Sequence, residues 1–434
     1  MSRILIIGSG GREHAIVWAL RNTSPTPVEL YCAPGNAGIA RLAQNVDMSV
    51  NDHAALAQFA ESENIDLTFV GPEAPLTSGI VDLFEAKGLP IVGPSSAAAR
   101  LEGSKIFAKD FMARHGVPTA VYRVADSPTQ ALECLRSGEF GPADSPVVIK
   151  ADGLAAGKGV VVAASRAEAE TAVDDLMVRH VAGDKAAERV VLEEALTGTE
   201  ASLLLFADGK NYALMPPARD HKRIGDNDTG PNTGGMGSIT DVSVLDEATL
   251  KRAVREIVEP TLAGAREEGF AFKGVLFLGL MLTPDGPKLL EYNVRFGDPE
   301  TQAILIRLKT DLSSVFDAVR NGTLGQLDLE WTKGSSACVV AANRGYPGKY
   351  DTGAEIEGLD QVDQGVVQVF HAGTSLGPDG KFTAMGGRVL GVTAAAENLA
   401  DALQLCYQSL QKIYWPGMQF RSDIGRSSLS KSRE

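Results

Sequence analysis

A chain of 434 residues is long enough for two to four domains, each with its own core. Its 41 Lys and Arg against 55 Asp and Glu leave a net charge of −14, which argues against the basic footprint that nucleic acid or an anionic membrane requires. Small phosphorylated ligands need only a local positive pocket and stay open.

The longest apolar run, residues 274–282, falls short of the ~18–20 residues of a membrane span and reads as a buried strand. Ile4 to Ile7 lead straight into a glycine turn, unlike a secretory signal. Cys32, Cys134, Cys338 and Cys406 lie far apart with no CxxC pair, and the six histidines show no HExxH spacing. Reduced thiols and a cytoplasmic location are expected.

In the first hundred residues, strands are predicted at 3–7, 28–32, 67–70 and 90–92, and helices at 13–21, 52–64 and 80–87. That alternation implies βαβ units and an open parallel sheet. Gly8, Pro34-Gly35, Gly71-Pro72 and Gly93-Pro94 then mark the carboxyl ends of the strands, where such sheets bind ligands. A helix over 101–114, carrying Lys105 and Lys109, opens a second region. Strands at 147–150, 160–164 and 190–193 with a helix near 167–181 suggest a small α/β unit inserted in a larger one. Loops 153–159 and 225–237 are glycine-dense and poor in core residues, so mobile covers are expected there. After Thr323 β-rich segments lead to a last helix over 395–411 and, beyond Gly425, to a frayed tail.

Chemistry concentrates in five places. Gly8-Ser9-Gly10-Gly11-Arg12-Glu13 is a glycine turn between strand and helix, where backbone N–H groups hold anions. A dinucleotide fingerprint would need glycine at Glu13 and an acid where Ala33-Pro34-Gly35 stands, so the turn holds another phosphate or is purely structural. Lys150 closes an apolar strand before a loop containing Gly153, Gly157, Lys158 and Gly159, which reads as a phosphate cover built from a hairpin. A lysine at the end of a buried strand requires an anion or a wet cleft. Glu193, Glu194 and Glu200 flank a strand end whose backbone could read a purine edge while a carboxylate accepts from ribose. Arg219-Asp220-His221-Lys222-Arg223 precedes the loop GPNTGGMG. Finally, Glu291, Asn293 and Arg295 stand at i, i+2 and i+4, so in a strand they share one face. Two oxygen ligands suit Mg²⁺, and an adjacent Arg suits the phosphate it accompanies.

The series Lys105, 150–159, 193–200 and Glu291-x-Asn293 resembles the ATP-grasp superfamily. Nearly the whole chain is similar to the phosphoribosylamine–glycine ligase family of purine biosynthesis, through IGSGGREHA, PGNAG, VGPE, LEGSK, KADGLAAGKGV, GPNTGGMG and RFGDPE, and on through GYPG, HAGT, GGRV and DIG. The resemblance implies an α/β and α+β multidomain fold. Residues 1–100 would form the substrate-binding open sheet, 101–328 a two-lobed ATP-grasp region with a lid lobe at about 121–191, and 329–434 a β-rich domain.

It also implies the reaction: ATP phosphorylates the glycine carboxylate, and 5-phosphoribosylamine displaces phosphate from glycyl phosphate. Glu291 and Asn293 would hold Mg²⁺ or Mn²⁺. No acid stands at Leu278-Gly279-Leu280, where many members of the superfamily place a second ligand. Lys105 and Lys150 would contact ATP phosphates under a lid of Gly153, Gly157, Lys158 and Gly159. Glu193 and Leu196 would meet adenine and Glu200 the ribose. Arg295 would stabilise the transferring phosphoryl group or the glycine carboxylate, and Asp220 would bind the glycine ammonium. Gly10, Gly11, Asn36, Glu73, Asp298 and Arg388 would serve phosphoribosylamine. A monomer acting on small molecules, with no nucleic-acid or membrane partner, is expected; another ATP-grasp carboxylate–amine ligase is the alternative.

Overall fold

The computed structural model describes residues 1–155, 159–181, 183 and 186–431; Gly157 and Lys158 of the expected lid lie outside the described residues. The first strand, Ser2–Gly8, is the centre of a five-stranded parallel sheet flanked by Val28–Pro34 and Gln44–Asn45 on one side and Leu67–Val70 and Ile91–Val92 on the other. Its side chains alternate between two cores. Leu5 and Ile7 pack with Leu56 and Phe84, while Ile4 and Ile6 pack with Ile16, Leu20 and Phe316. Helices on both faces explain why this strand is an unbroken apolar run.

Strands Tyr122–Ala125, Val190–Glu194, Val147–Ala151 and Val160–Ala163 form a separate antiparallel sheet. Helices Pro128–Arg136 and Arg166–Met177 cover it, through Ala131, Leu135, Ala169, Val173 and Leu176. The third sheet has ten strands. It runs antiparallel from Gly286–Asn293 through Lys273–Thr283, Thr199–Asp208, Ala218–Asp220, Gly237–Thr240, Ser335–Asn343 and Arg388–Ala396 to Val367–His371. One ladder therefore passes directly from the central region into the C-terminal one, at the pairing of Gly237–Thr240 with Ser335–Asn343.

Four expectations need correction. The helix over 101–114 is two helices, Ser96–Gly103 and Lys105–Arg114. They part at Ser104, whose extended backbone lets its Oγ accept the Phe107 N–H at 3.1 Å. The last long helix is Leu399–Leu410, because 388–396 remains a strand and Asn398 caps the helix from its N-terminal side. The loop 225–237 is no free cover. Arg223–Gly225 pairs with Thr229–Asn232, and its tip is tied to residues 421–423. Nor are the described residues after Gly425 frayed: Arg426–Lys431 is helical and Ser428 Oγ accepts from Arg219 Nη1 at 2.9 Å.

Candidate active site

The strand Gly286–Asn293 ends in the alternation expected of it. Tyr292, Val294 and Phe296 are buried in the cores, whereas Glu291, Asn293 and Arg295 are partly open. Glu291 faces Gly279 on the neighbouring strand, where a Cβ would come within 3.3 Å of the Glu291 Cγ. That glycine gives the carboxylate room and offers no second ligand. Among the described residues the Glu291 carboxylate makes no hydrogen bond or ion pair, and no three His, Cys, Asp or Glu cluster as a metal cage. Burial alone would raise its pKa, but Lys222, Lys150, Lys105 and Arg295 outweigh burial and hold it below the usual range. Glu291 is thus an ionised, half-buried carboxylate beside the Asn293 amide oxygen. This donor set fits a Mg²⁺ that takes its remaining ligands from water and phosphate.

Arg295 is held on several sides. It contacts Glu102 at 2.9 Å, Asn293 Oδ1 at 3.1 Å, and Glu73 Oε2 and the Phe296 carbonyl at 3.3 Å each. Burial would lower its pKa, but Glu102, Glu73, Glu300 and Glu291 raise it, so the charge is permanent. Glu73 itself is held ionised by Arg295 and Arg12 against the opposing effect of burial.

The smaller sheet brings Lys150 over the same face. Its Nζ lies 3.0 Å from Glu193 Oε2 and donates to the Leu290 carbonyl at 3.2 Å. Lys109 reaches the same Glu193 oxygen at 3.0 Å from below, so two buried lysines share one buried carboxylate. Glu193 therefore uses its side chain to hold both lysines, and its Oε1 has no protein partner among the described residues. Leu196 and Glu200 follow on the hinge between the sheets, with Glu200 Oε2 3.0 Å from Lys222 Nζ. Lys105 opens its helix one residue after Ser104. Both Ser104 Oγ and the Ile106 N–H donate to Asp152 Oδ1, at 2.7 and 3.0 Å, which fastens that helix to the base of the hairpin. Gly153 lies against Ala186 and Gly159 against Ala155, where a Cβ would come within 3.1 and 2.6 Å.

Asp220 lies under the glycine loop, where a Cβ on Gly235 would fall 2.6 Å from its Oδ1. Burial first, then the neighbouring Glu300, raises its pKa well above the usual range, against Lys222 and Arg388. Arg388 pairs with Asp298 Oδ2 at 3.1 Å and donates to the Asp298 and Gly234 carbonyls at 2.7 and 2.5 Å. Gln302 Nε2 donates to the other Asp298 oxygen at 2.8 Å and lies 2.7 Å from where Gly11 would carry a Cβ.

Two expected ligands, Gly10 and Asn36, also make internal hydrogen bonds. The Gly10 N–H is taken by Glu13 Oε2 at 2.6 Å, with Gly8 and Gly71 leaving room for that carboxylate. The acid that breaks the dinucleotide pattern thus fills the turn itself. Asn36 spends all four of its amide bonds inside the protein: to the carbonyls of Ser9 and His371, and from the N–H groups of Gly38 and Ile39. Through these bonds its side chain positions the loop. Lys109, Glu102, Lys222, Glu300 and Gln302 were not assigned from sequence. Lys109 carried a signal, since it lies on the Ile106–Met112 face of its helix, and a lysine on an apolar face requires a partner.

A lobe hinged over a strand whose open carboxylate is ringed by lysines defines the ATP-grasp class, and residues 103–301 match the phosphoribosylglycinamide synthetase ATP-grasp domain. Residues 2–102 match the N domain of that family and 336–427 its C domain. The chain belongs to the phosphoribosylglycinamide synthetase family. It is 47% identical over 432 residues to a phosphoribosylamine–glycine ligase of Brucella melitensis biotype 1, covering 99% of both chains. A crystal structure of the Thermotoga maritima phosphoribosylamine–glycine ligase superposes with a TM-score of 0.83 at 34% identity, over 97% of this chain and 99% of that one. A biotin carboxylase from Campylobacter jejuni, at 16% identity over 96% of this chain and 93% of that one, has the same fold with a TM-score of 0.72.

Proposed function

We propose that this chain is an ATP-dependent carbon–nitrogen ligase that joins glycine to 5-phosphoribosylamine, giving glycinamide ribonucleotide, ADP and phosphate. The open face of Glu291, Asn293 and Arg295, set under Lys105 and Lys150, carries this reading.

In this reading residues 101–328 handle the nucleotide, with a lid lobe at about 121–191. Residues 1–100 supply the amine substrate's floor, and 329–434 brace the glycine loop. Adenine lies at the hinge by Glu193 and Leu196, ribose by Glu200, and the phosphates by Lys105, Lys150 and the lid glycines. Glu291 and Asn293 would hold Mg²⁺, which would supply charge neutralisation for the transferring phosphoryl group. Asp220, beneath the glycine loop and beside Gly235, takes the glycine ammonium.

The glycine carboxylate attacks the terminal phosphorus and ADP leaves. Arg295, fixed by Glu73 and Glu102, meets the charge that develops. The amine of phosphoribosylamine, held by Gly11, Asp298 and Arg388, then attacks the acyl carbon, and the carbon–oxygen bond to phosphate breaks. No protein nucleophile is needed, and the closed lobe keeps water from the acyl phosphate. A cytoplasmic location suits these small substrates. Among the described residues no helix is long and apolar enough to cross a membrane.

The test is ADP release with glycine and freshly made phosphoribosylamine, omitting each in turn. Release that requires both supports the reading; release indifferent to glycine contradicts it.

A further inference from the structure

The glycine loop that covers Asp220 and Arg388 is fastened by residues far away in sequence. Arg421 is almost fully buried and grips Asp423 through two bonds, Nε to Oδ1 at 2.8 Å and Nη2 to Oδ2 at 3.0 Å. Its remaining nitrogen, Nη1, donates to Asp228 Oδ1 at 2.7 Å and to the Arg223 carbonyl at 3.1 Å. Asp423 Oδ2 in turn accepts the Asn227 N–H at 2.7 Å. The Ser422 N–H donates to Asp226 Oδ1 at 2.8 Å and its hydroxyl to Asp226 Oδ2. The three residues 421–423 thus hold the first strand, through Arg223, and the tip of the ribbon formed by Arg223–Gly225 and Thr229–Asn232. Neither Asn227 nor Asp228 is a glycine, yet both take positive φ, 55° and 53°, a conformation that needs outside support in non-glycine residues.

The other end of the ribbon leads into the site. The Gly234 N–H donates to the Tyr346 hydroxyl at 2.8 Å, its carbonyl accepts from Arg388, and Gly235 packs on Asp220. The ribbon and the glycines that follow it therefore connect a buried charge clamp in the C-terminal region to the two side chains proposed for the amine-bearing substrates. Bidentate, charge-assisted pairs of this kind fix geometry as well as adding energy.

We propose that Arg421, with Ser422 and Asp423, is a positioning clamp that sets the glycine loop over Asp220 and Arg388, and so controls capture of glycine and phosphoribosylamine without touching the nucleotide. The assignment to those two substrates rests on the function proposed above; the mechanical role of the clamp does not. Two variants separate clamp from fold. Arg421→Met removes the buried charge, while Asp226→Asn with Ser422→Ala removes the solvent-side charge and the Ser422 hydroxyl bond and leaves the core intact. In both, amide exchange at 226–235 should quicken roughly tenfold or more, the equivalent of one charge-assisted bond. KM for glycine and for phosphoribosylamine should rise about tenfold, with KM for ATP changed less than about twofold. Arg421→Lys, which keeps the charge without the fork, should recover only part of this. Unchanged exchange in the Asp226→Asn/Ser422→Ala variant, or a KM for ATP rising in parallel, overturns the proposal. If the unaltered protein shows no glycine-dependent ADP release, the functional reading fails, and the exchange comparison alone decides whether the clamp holds the loop.

Discussion

Replacing Glu193 by Gln keeps the shape of the side chain and removes the one charge that Lys109 and Lys150 share. All three groups are buried, and each lysine lies 3.0 Å from the same oxygen. Breaking a buried pair by removing one partner costs about 3–5 kcal/mol, because the surviving charge is left uncompensated. Burial already depresses the Lys109 pKa to about 8, with Glu193 pulling it back up, so without Glu193 it falls further.

The pH dependence follows from this. A lysine whose folded pKa lies below its unfolded value favours unfolding while it is charged, and stability rises with pH from about 8 towards the unfolded value near 10.5. In the wild type much of the attraction is therefore gone by pH 9, when Lys109 is discharged. The loss from Glu193→Gln should be largest near pH 7 and clearly smaller at pH 9. Urea unfolding followed by circular dichroism at both values measures it. A loss below about 1 kcal/mol at pH 7, or one equal at both pH values, would refute the shared-charge account.

Glu291→Ala should lower turnover by orders of magnitude and shift the Mg²⁺ concentration for half-maximal rate upward, since it removes the charged member of the donor pair; a metal titration of ADP release checks this. Arg388→Met should raise KM for phosphoribosylamine more than for ATP, read from initial rates with each substrate varied. Acid should weaken the fold through buried histidines. The His14 pKa is lowered to about 3 and those of His371 and His221 to about 4, mainly by burial, and His14 Nδ1 and His221 Nε2 each accept a backbone N–H. Groups with depressed folded pKa values are fully tolerated above about 6.5 and take up protons on unfolding below it. Stability should therefore fall steadily from pH 6.5 towards 4, as thermal melts across that range would show.

Much of the fold was legible in the sequence because local pattern and tertiary role coincide. Ile4 to Ile7 is an apolar run that feeds two cores, and Glu291, Asn293 and Arg295 alternate with Tyr292, Val294 and Phe296, so period alone exposed the face. Long-range charge pairing was not legible. Nothing near Glu193 announces Lys109, and nothing near loop 225–237 announces Arg421. The break at Ser104 was missed because the apolar period continues across it, while the hydroxyl's capping bond resets the backbone. The glycine turn reads as an anion site or a purely structural turn, and the bond from the Gly10 N–H to Glu13, within the same motif, is not announced by the glycines.

The central claim is that the glycine carboxylate takes the phosphoryl group of ATP before the amine attacks. Glycine labelled with ¹⁸O in both carboxylate oxygens tests this directly by mass spectrometry of the released phosphate. The account predicts phosphate carrying one labelled oxygen per turnover, with the other retained in the amide product. Unlabelled phosphate would contradict it.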